Sequence, residues 1–397
     1  MKNSNLTVIL SFTILSLFSC SEQNKEEKQA KKEVKKLELN EKTCVNFAKN
    51  LHQSFVIGDS NFIQQYILLD SLKSTVFTKY NLENNPLNNI AWGLVSKKLG
   101  IGADFRDAID NDGQIRFISY YKDSIDLSHH IILRSFFPPM GVNFYDFELS
   151  SHNNGLQIVD VYDYSTPGEL SDILGEEMYF LSKSKLSEDS IGIFHSYLEE
   201  HTLNIQNQIK NGNVRLAYKL FLQFPDILKQ SRKYRNLEEQ ILFASDEPEV
   251  HEQFIASKLA SLNPDSRDSY LTSFYKHGIF REFDLALTSI ENLEKSVGED
   301  EVLHFLRGMT YLENEQFDLA VETFNKAISE DPNIFIYQWS KVIALVEKGA
   351  YELAVETLLV MDDFFVMDGT NWDKEFIAYP EFLFSEAFEI WQNRMDV

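Results

Sequence analysis

Of 397 residues only two are cysteines, Cys20 and Cys44. That excludes a disulfide-stapled scaffold, so stability has to come from packing. Positive charge is also scarce. Lys and Arg number 37 against 61 Asp and Glu, a formal net charge of −24. Such a surface argues against nucleic acid as a partner, because gripping a phosphate backbone needs clustered cations. The deficit is uneven: from Arg281 to the end, 8 basic residues stand against 25 acidic ones. That describes a solvated acidic rim, or a surface for a basic partner or a bound cation. The apolar run Leu6 to Phe18 is too short to cross about 30 Å of hydrocarbon. There are four Trp, little material for a row of rings stacking on sugars. No G-x-S-x-G elbow, Walker loop or dinucleotide fingerprint is present. No catalytic residues, cofactor or metal set are read from the chain.

Apolar residues are plentiful, at 44%, with 31 Phe and 17 Tyr. That suffices for two or three globular domains. At the N-terminus Lys2 precedes the apolar run, which stops at Leu17-Phe18-Ser19-Cys20. This resembles the lipobox of bacterial lipoprotein signal peptides, with Phe18 where that family has a small residue. The resemblance implies that residues 1–19 are a signal peptide and that Cys20 becomes the lipid-bearing N-terminus, held in the membrane by its acyl chains. Ser21, not Asp, follows Cys20, which in that family implies the outer membrane, facing the periplasm or the cell surface. With Cys20 lipidated, no intrachain disulfide forms. Residues 20–39 are rich in Lys and Glu and read as a tether, spanning roughly 25 Å if flexible.

Residues 40–185 read as an α+β domain. A helix opens near Asn40 and buries Cys44, Phe47, Leu51 and Phe55 on one face. A second helix follows Gly58-Asp59-Ser60 and carries Phe62, Ile63, Tyr66 and Ile67, and a third runs from Pro86 to Leu99, ending at Gly100. The period then changes. Ile115–Tyr121, His130–Phe137, Val142–Leu149 and Leu156–Tyr164 read as strands, with Asn154-Gly155 as a hairpin turn. Glu169–Leu181 is helical again. Helices followed by an antiparallel meander resemble the NTF2-like, cone-shaped superfold, which hosts both enzymes and non-catalytic modules.

The most regular stretch is Glu301 to Ile334. The motifs Phe283-Asp284-Leu285-Ala286, Phe317-Asp318-Leu319-Ala320 and Tyr351-Glu352-Leu353-Ala354 recur every 34 residues, the interval of helix–turn–helix tetratricopeptide units. Gly308, Tyr311, Ala320, Phe324, Ala327 and Pro332 match that family's pattern, and the chain resembles the tetratricopeptide repeat family here. Residues 335–368 keep Ala354 with Val342 and Leu345 substituted, and 267–300 keep Ala286. Leu216–Phe221 and Ala256–Pro264 look like degenerate units. The resemblance implies an all-α repeat solenoid over 186–397, with a concave groove formed by first-helix residues. Carried over, these are Val302, Phe305, Met309, Leu312 and Glu313; Ile336, Trp339, Ile343, Val346 and Glu347; and Leu271, Tyr275 and Ile279. The Lys, Arg and Asn of chaperone-tail-binding members are missing. Tyr275, Phe305, Met309, Trp339 and Ile343 therefore form an expected apolar groove for another envelope protein or peptide. The alternative is that this groove is filled by the chain itself, through its C-terminal helix Pro380–Met395 or the middle domain.

The remaining candidates for chemistry are few. Asp110-Asn111-Asp112-Gly113 lacks the first and last ligands of an EF-hand loop and reads as a turn. His129 and His130 alternate across a strand and cannot share one metal. His195 and Glu199 lie at i,i+4, usually a surface pair. His251-Glu252 has no second histidine at helical spacing. An acid/base pair of His130 with Asp146 or Asp160 is conceivable inside the cone. The expectation is a lipid-anchored, non-enzymatic envelope scaffold. Its alternatives are a small-ligand binder or enzyme using the cone, or a glycan-binding outer-membrane lipoprotein.

Overall fold

The computed structural model describes residues 39–57, 62–97, 99, 105, 108–109, 113–137, 141–152, 155–165, 167–245, 267–365, 367 and 370–395. Cys20, the expected signal peptide and nearly all of the tether, Asp110–Asp112, Asn154, His251-Glu252 and Ala256–Pro264 lie outside these residues.

Asn40 opens the first helix. Its side chain accepts the Thr43 N–H at 3.0 Å, and Thr43 Oγ1 accepts the Asn40 N–H at 3.1 Å, a reciprocal cap that satisfies two otherwise orphaned donors. Among the described residues, α1 (Glu41–Val56), α2 (Phe62–Tyr66), α3 (Leu69–Lys79) and α4 (Pro86–Val95) precede the sheet, and Phe105, Ala108 and Ile109 are also helical. The expected second helix is shorter than its apolar pattern. Ile67 leaves it to bridge Ile158 in parallel, and the Leu68 N–H donates to the Ile158 carbonyl at 2.8 Å. The third expected helix ends at Val95, with Ser96 as its cap.

Five strands follow among the described residues: β1 (Gln114–Lys122), β2 (His129–Phe137), β3 (Gly141–His152), β4 (Gly155–Asp163) and β5 (Gly168–Glu169). They pair antiparallel in sequence order. Alternation along the strands gives the sheet two buried faces. Ile131, Leu133, Tyr145, Phe147, Ile158 and Val161 join the core shared with α1–α4. Ile132, Phe136, Val142, Phe144, Tyr162 and Tyr164 point the other way.

The described residues beyond the sheet form helices: α5 (Leu170–Lys183), α6 (Glu188–Lys210), α7 (Val214–Phe221), α8 (Asp226–Lys229), α9 (Arg232–Phe243), α10 (Tyr270–Ile279), α11 (Phe283–Val297), α12 (Glu301–Glu313), α13 (Phe317–Glu330), α14 (Phe335–Glu347), α15 (Tyr351–Asp362), α16 (Trp372–Glu375), α17 (Pro380–Leu383) and α18 (Glu386–Met395). An α+β half is thus followed by an all-α half. The first core does not stop at residue 185, because Ile191, Leu198, Ile205, Phe221 and Leu237 of α6, α7 and α9 belong to it. The sheet's second face packs on α10–α14. The sheet therefore lies between two helical layers.

The starts of α11, α13 and α15 fall 34 residues apart, as do those of α12 and α14. Ala286, Ala320, Phe324, Ala327 and Ala354 are fully buried, and Gly308 is buried with them. A methyl group at Gly308 would stand 2.5 Å from the Phe324 ring, so α12 and α13 touch where only glycine fits. Tyr311 is half-buried, and Pro332 follows the end of α13. The expected single helix Pro380–Met395 is broken in two. Ser385 interrupts it and accepts the Phe388 N–H at 3.2 Å. Phe382, Phe388 and Trp391 are buried, whereas Phe384 and Ile390 face solvent.

Candidate functional site: a cleft between the sheet and the helices that follow it

The expected groove is not open. Phe136 of β2 sits 5.9 Å from both Phe305 and Tyr337, ring to ring. The Val142 N–H of β3 donates to the Tyr275 hydroxyl at 3.3 Å. Phe305 is buried, and Met309 packs half-buried against the same core. At the other end Trp339 lies 5.2 Å from Phe376 and 6.4 Å from Trp372 of the C-terminal segment, and Ile343 packs into that cluster. Tyr275, Phe305, Met309, Trp339 and Ile343, the expected partner-binding residues, thus pack on the chain's own sheet and C-terminal helices, Phe305 buried and the other four half-buried. The face is too apolar to stay in water, and the chain's own sheet and C-terminal helices cover it. Trp92 and Trp391 are buried and the other two Trp are half-buried in this ring cluster, so no flat, open row of Trp exists for sugars.

The join between sheet and repeats is electrostatic as well as apolar. Arg134 of β2 is fully buried; its Nη1 donates to Asp300 at 2.6 Å and Glu301 at 2.8 Å, and its Nη2 to Gln114 Oε1 at 3.1 Å. Asp300 also caps α12 by accepting the Val302 N–H at 3.1 Å. Burial would raise the Glu301 carboxyl, but Arg134 and Arg116 outweigh it and hold it below the usual range.

His130 and Asp146, but not Asp160, are brought together. His130 Nδ1 lies 2.9 Å from Asp146, which also accepts from the Tyr121 hydroxyl at 2.5 Å and from Arg267 at 3.1 Å. Ser128 Oγ lies 2.7 Å from His130 Nε2 and donates to Asp126 at 2.5 Å. With the Ser128 proton given to Asp126, His130 must donate at both nitrogens. Burial would lower its pKa, yet Asp146 raises it above the ordinary value. This network fastens the β1–β2 hairpin to Arg267, at the start of the helices that cover the sheet's second face. Asp160 instead accepts the N–H groups of Val161 at 2.9 Å and Ser171 at 3.1 Å, and burial pushes its carboxyl up to about 6.

Among the described residues, a cleft of about 700 Å³ lies on the other side of the sheet. Its floor is Leu94, Val95, Tyr145, Val161, Leu170, Leu174 and Leu237; its polar wall carries Asp163, Glu177, His195, Glu199, Glu200 and Lys233. Local geometry builds that wall. His195 and Glu199 are one turn apart on α6 and share a face. Glu177 comes from α5, with 4% of its surface exposed. Arg232 opens α9 and ties it to α5: its guanidinium meets Asp172 at 2.5 Å and its N–H donates to Glu176 at 2.6 Å. The next residue, Lys233, then reaches Glu177 Oε2 at 3.2 Å and Glu199 Oε1 at 2.8 Å.

Glu177 Oε1 faces His195 Nε2 at 3.5 Å and is a buried oxygen without a hydrogen-bond partner. Burial would raise the Glu177 carboxyl, but contact with His195 and Lys233 leaves it below the usual range. Burial would lower the Lys233 ammonium, and Glu177 and Glu199 raise it instead. Donor atoms of Glu177, His195 and Glu199 all lie within 4.8 Å of one another. Sequence reading found the His195–Glu199 pair but not Glu177 or Lys233, because neither is a neighbour in the chain. Comparison with protein-family models, curated proteins and solved structures gave no match.

Proposed function

We propose that this chain is a lipid-anchored, non-enzymatic binding protein of a bacterial envelope whose ligand site is the cleft rather than the repeat groove. The observation that carries the reading is the cleft itself: about 700 Å³, within the size range of small-ligand sites, with an apolar floor and a few convergent polar groups. Four of its lining carboxylates face two lysines, Lys97 and Lys233, so a bound ligand brings positive charge. The helix-then-meander order supports an NTF2-like α+β unit. The 34-residue interval of helix starts supports tetratricopeptide repeats, and the Cys20 motif supports the anchor. In this reading the repeats bind intramolecularly, holding the sheet in the place of a partner.

Thermal denaturation against small amines and divalent metal salts tests it, with Ser196→Trp as the control. Ser196 is an exposed cleft residue on α6, so an indole there plugs the cleft without disturbing the core. At a ligand concentration of 100 times Kd the gain is about 2.7 kcal/mol. At least one cation should raise the wild-type midpoint and leave Ser196→Trp unmoved; equal shifts in both, or none in either, would refute the cleft.

A second reading keeps a scaffold role for the outer face. Leu285, Leu319 and Leu353, the equivalent residues of successive motifs, are all solvent-exposed.

A further inference from the structure

We propose that Glu177, His195 and Glu199 bind a divalent transition-metal ion, with Zn²⁺ as the matched probe, and that the Lys233 ammonium neutralises part of their charge in the metal-free protein. This rests on reading the cleft as the ligand site and specifies the cation it takes.

The donor set is the first argument. One imidazole and two carboxylates suit zinc-class ions, whereas an all-oxygen set would suit Mg²⁺ or Ca²⁺. His195 and Glu199 present their donors from the same helical face, and Glu177 meets them from α5. Tetrahedral zinc bonds of about 2.0–2.2 Å place donors about 3.4 Å apart. Here they already lie within 4.8 Å, so side-chain rotations close the set without moving a helix. Three protein donors leave a fourth position for water or a ligand atom.

The second argument is Glu177 Oε1, an acceptor buried at the cleft wall without a hydrogen bond. A buried carboxylate oxygen of that kind costs free energy until a cation or donor reaches it. Charge is the third. The two carboxylates and the one ammonium sum to −1. A divalent ion cancels both carboxylates and releases Lys233, whose flexible four-carbon stem lets the ammonium leave while Arg232 keeps α9 in place. An organic ammonium would only repeat what Lys233 already does and would leave the His195 nitrogen unused.

The experiment is isothermal titration of the full chain in detergent with Zn²⁺, Mg²⁺ and methylamine, with circular dichroism as the check on folding. The expected result is one Zn²⁺ per chain, no Mg²⁺ at the same concentration, and binding at least tenfold weaker in His195→Ala and Glu199→Gln. Lys233→Gln removes the competing charge and should bind Zn²⁺ several-fold more tightly. If Lys233→Gln does not fold, the half-exposed Glu199→Gln decides the outcome by itself. Absent stoichiometric Zn²⁺ binding, unchanged affinity in His195→Ala, or weaker binding in a folded Lys233→Gln would overturn the proposal. If Zn²⁺ fails while methylamine stabilises the wild type and not Ser196→Trp, the metal site falls and the cleft reading stands. If neither cation binds, both fall.

Discussion

Asp160 and His130 lie on the same face of the sheet and move stability in the same direction with pH. Asp160 has its pKa pushed from 3.8 up to about 6 by burial. Folding is therefore penalised when the carboxylate is ionised, and the penalty lifts as pH falls through 6. His130 is raised above 6.5, burial notwithstanding, by Asp146. Its contribution is fully present below 6.5 and is lost as pH rises through the folded value. The melting midpoint should therefore be higher at pH 5.5 than at pH 8. Asp160→Asn retains an oxygen for the Val161 and Ser171 N–H groups without the buried charge. It should raise the midpoint at pH 8, where the shift of about two units is worth at most about 3 kcal/mol, and flatten the slope. A midpoint that rises steadily from pH 5.5 to 8 in the wild type would contradict this assignment.

The helices of the repeats show what a sequence carries and what it does not. Within each hairpin, the residue in the turn has a left-handed backbone: Arg281, Glu315 and Gly349, with φ of 57°, 58° and 76°. Only the last is glycine, and the others bear about 1 kcal/mol of strain each. Glu315→Gly should stabilise the chain by up to about 1 kcal/mol, seen as a raised urea midpoint with an unchanged slope. Conversely, Ala320→Leu should cost about 1–3 kcal/mol, since Ala320 is fully buried. The repeat interval and the four long strands were legible because periodic burial writes itself into composition. The α3 helix was not, since only Leu72 and Val76 of it are buried and its pattern is faint. The groove residues were placed on the correct helices, but sequence could not tell a partner's surface from the chain's own sheet, because both require the same apolar face. Glu177 and Lys233 were invisible for a related reason: they reach His195 only through the packing of α5 and α9 on α6.

At the scale of the molecule, the sheet is held to the repeats by Phe136, Phe305 and Tyr337 and by the buried Arg134. Arg134→Met would leave Asp300 and Glu301 without their main counter-charge and should cost about 3–5 kcal/mol. Hydrogen exchange should then rise at the sheet–repeat join before it rises in α5–α9. The proposed Cys20 anchor is tested separately: Cys20→Ala should abolish acyl labelling and release the protein from the membrane fraction. The central claim is the location of the binding site, and one pair of probes reads it directly. Cys44 is buried, so in a Cys20→Ser chain an environment-sensitive fluorophore can be placed on Gln240→Cys, an exposed lining residue of the cleft on α9, or on Ile343→Cys, in the covered groove. Titration with Zn²⁺ and with small amines should give a saturable change in emission at position 240 and none at 343. A saturable response at 343 with a silent probe at 240 would contradict the account.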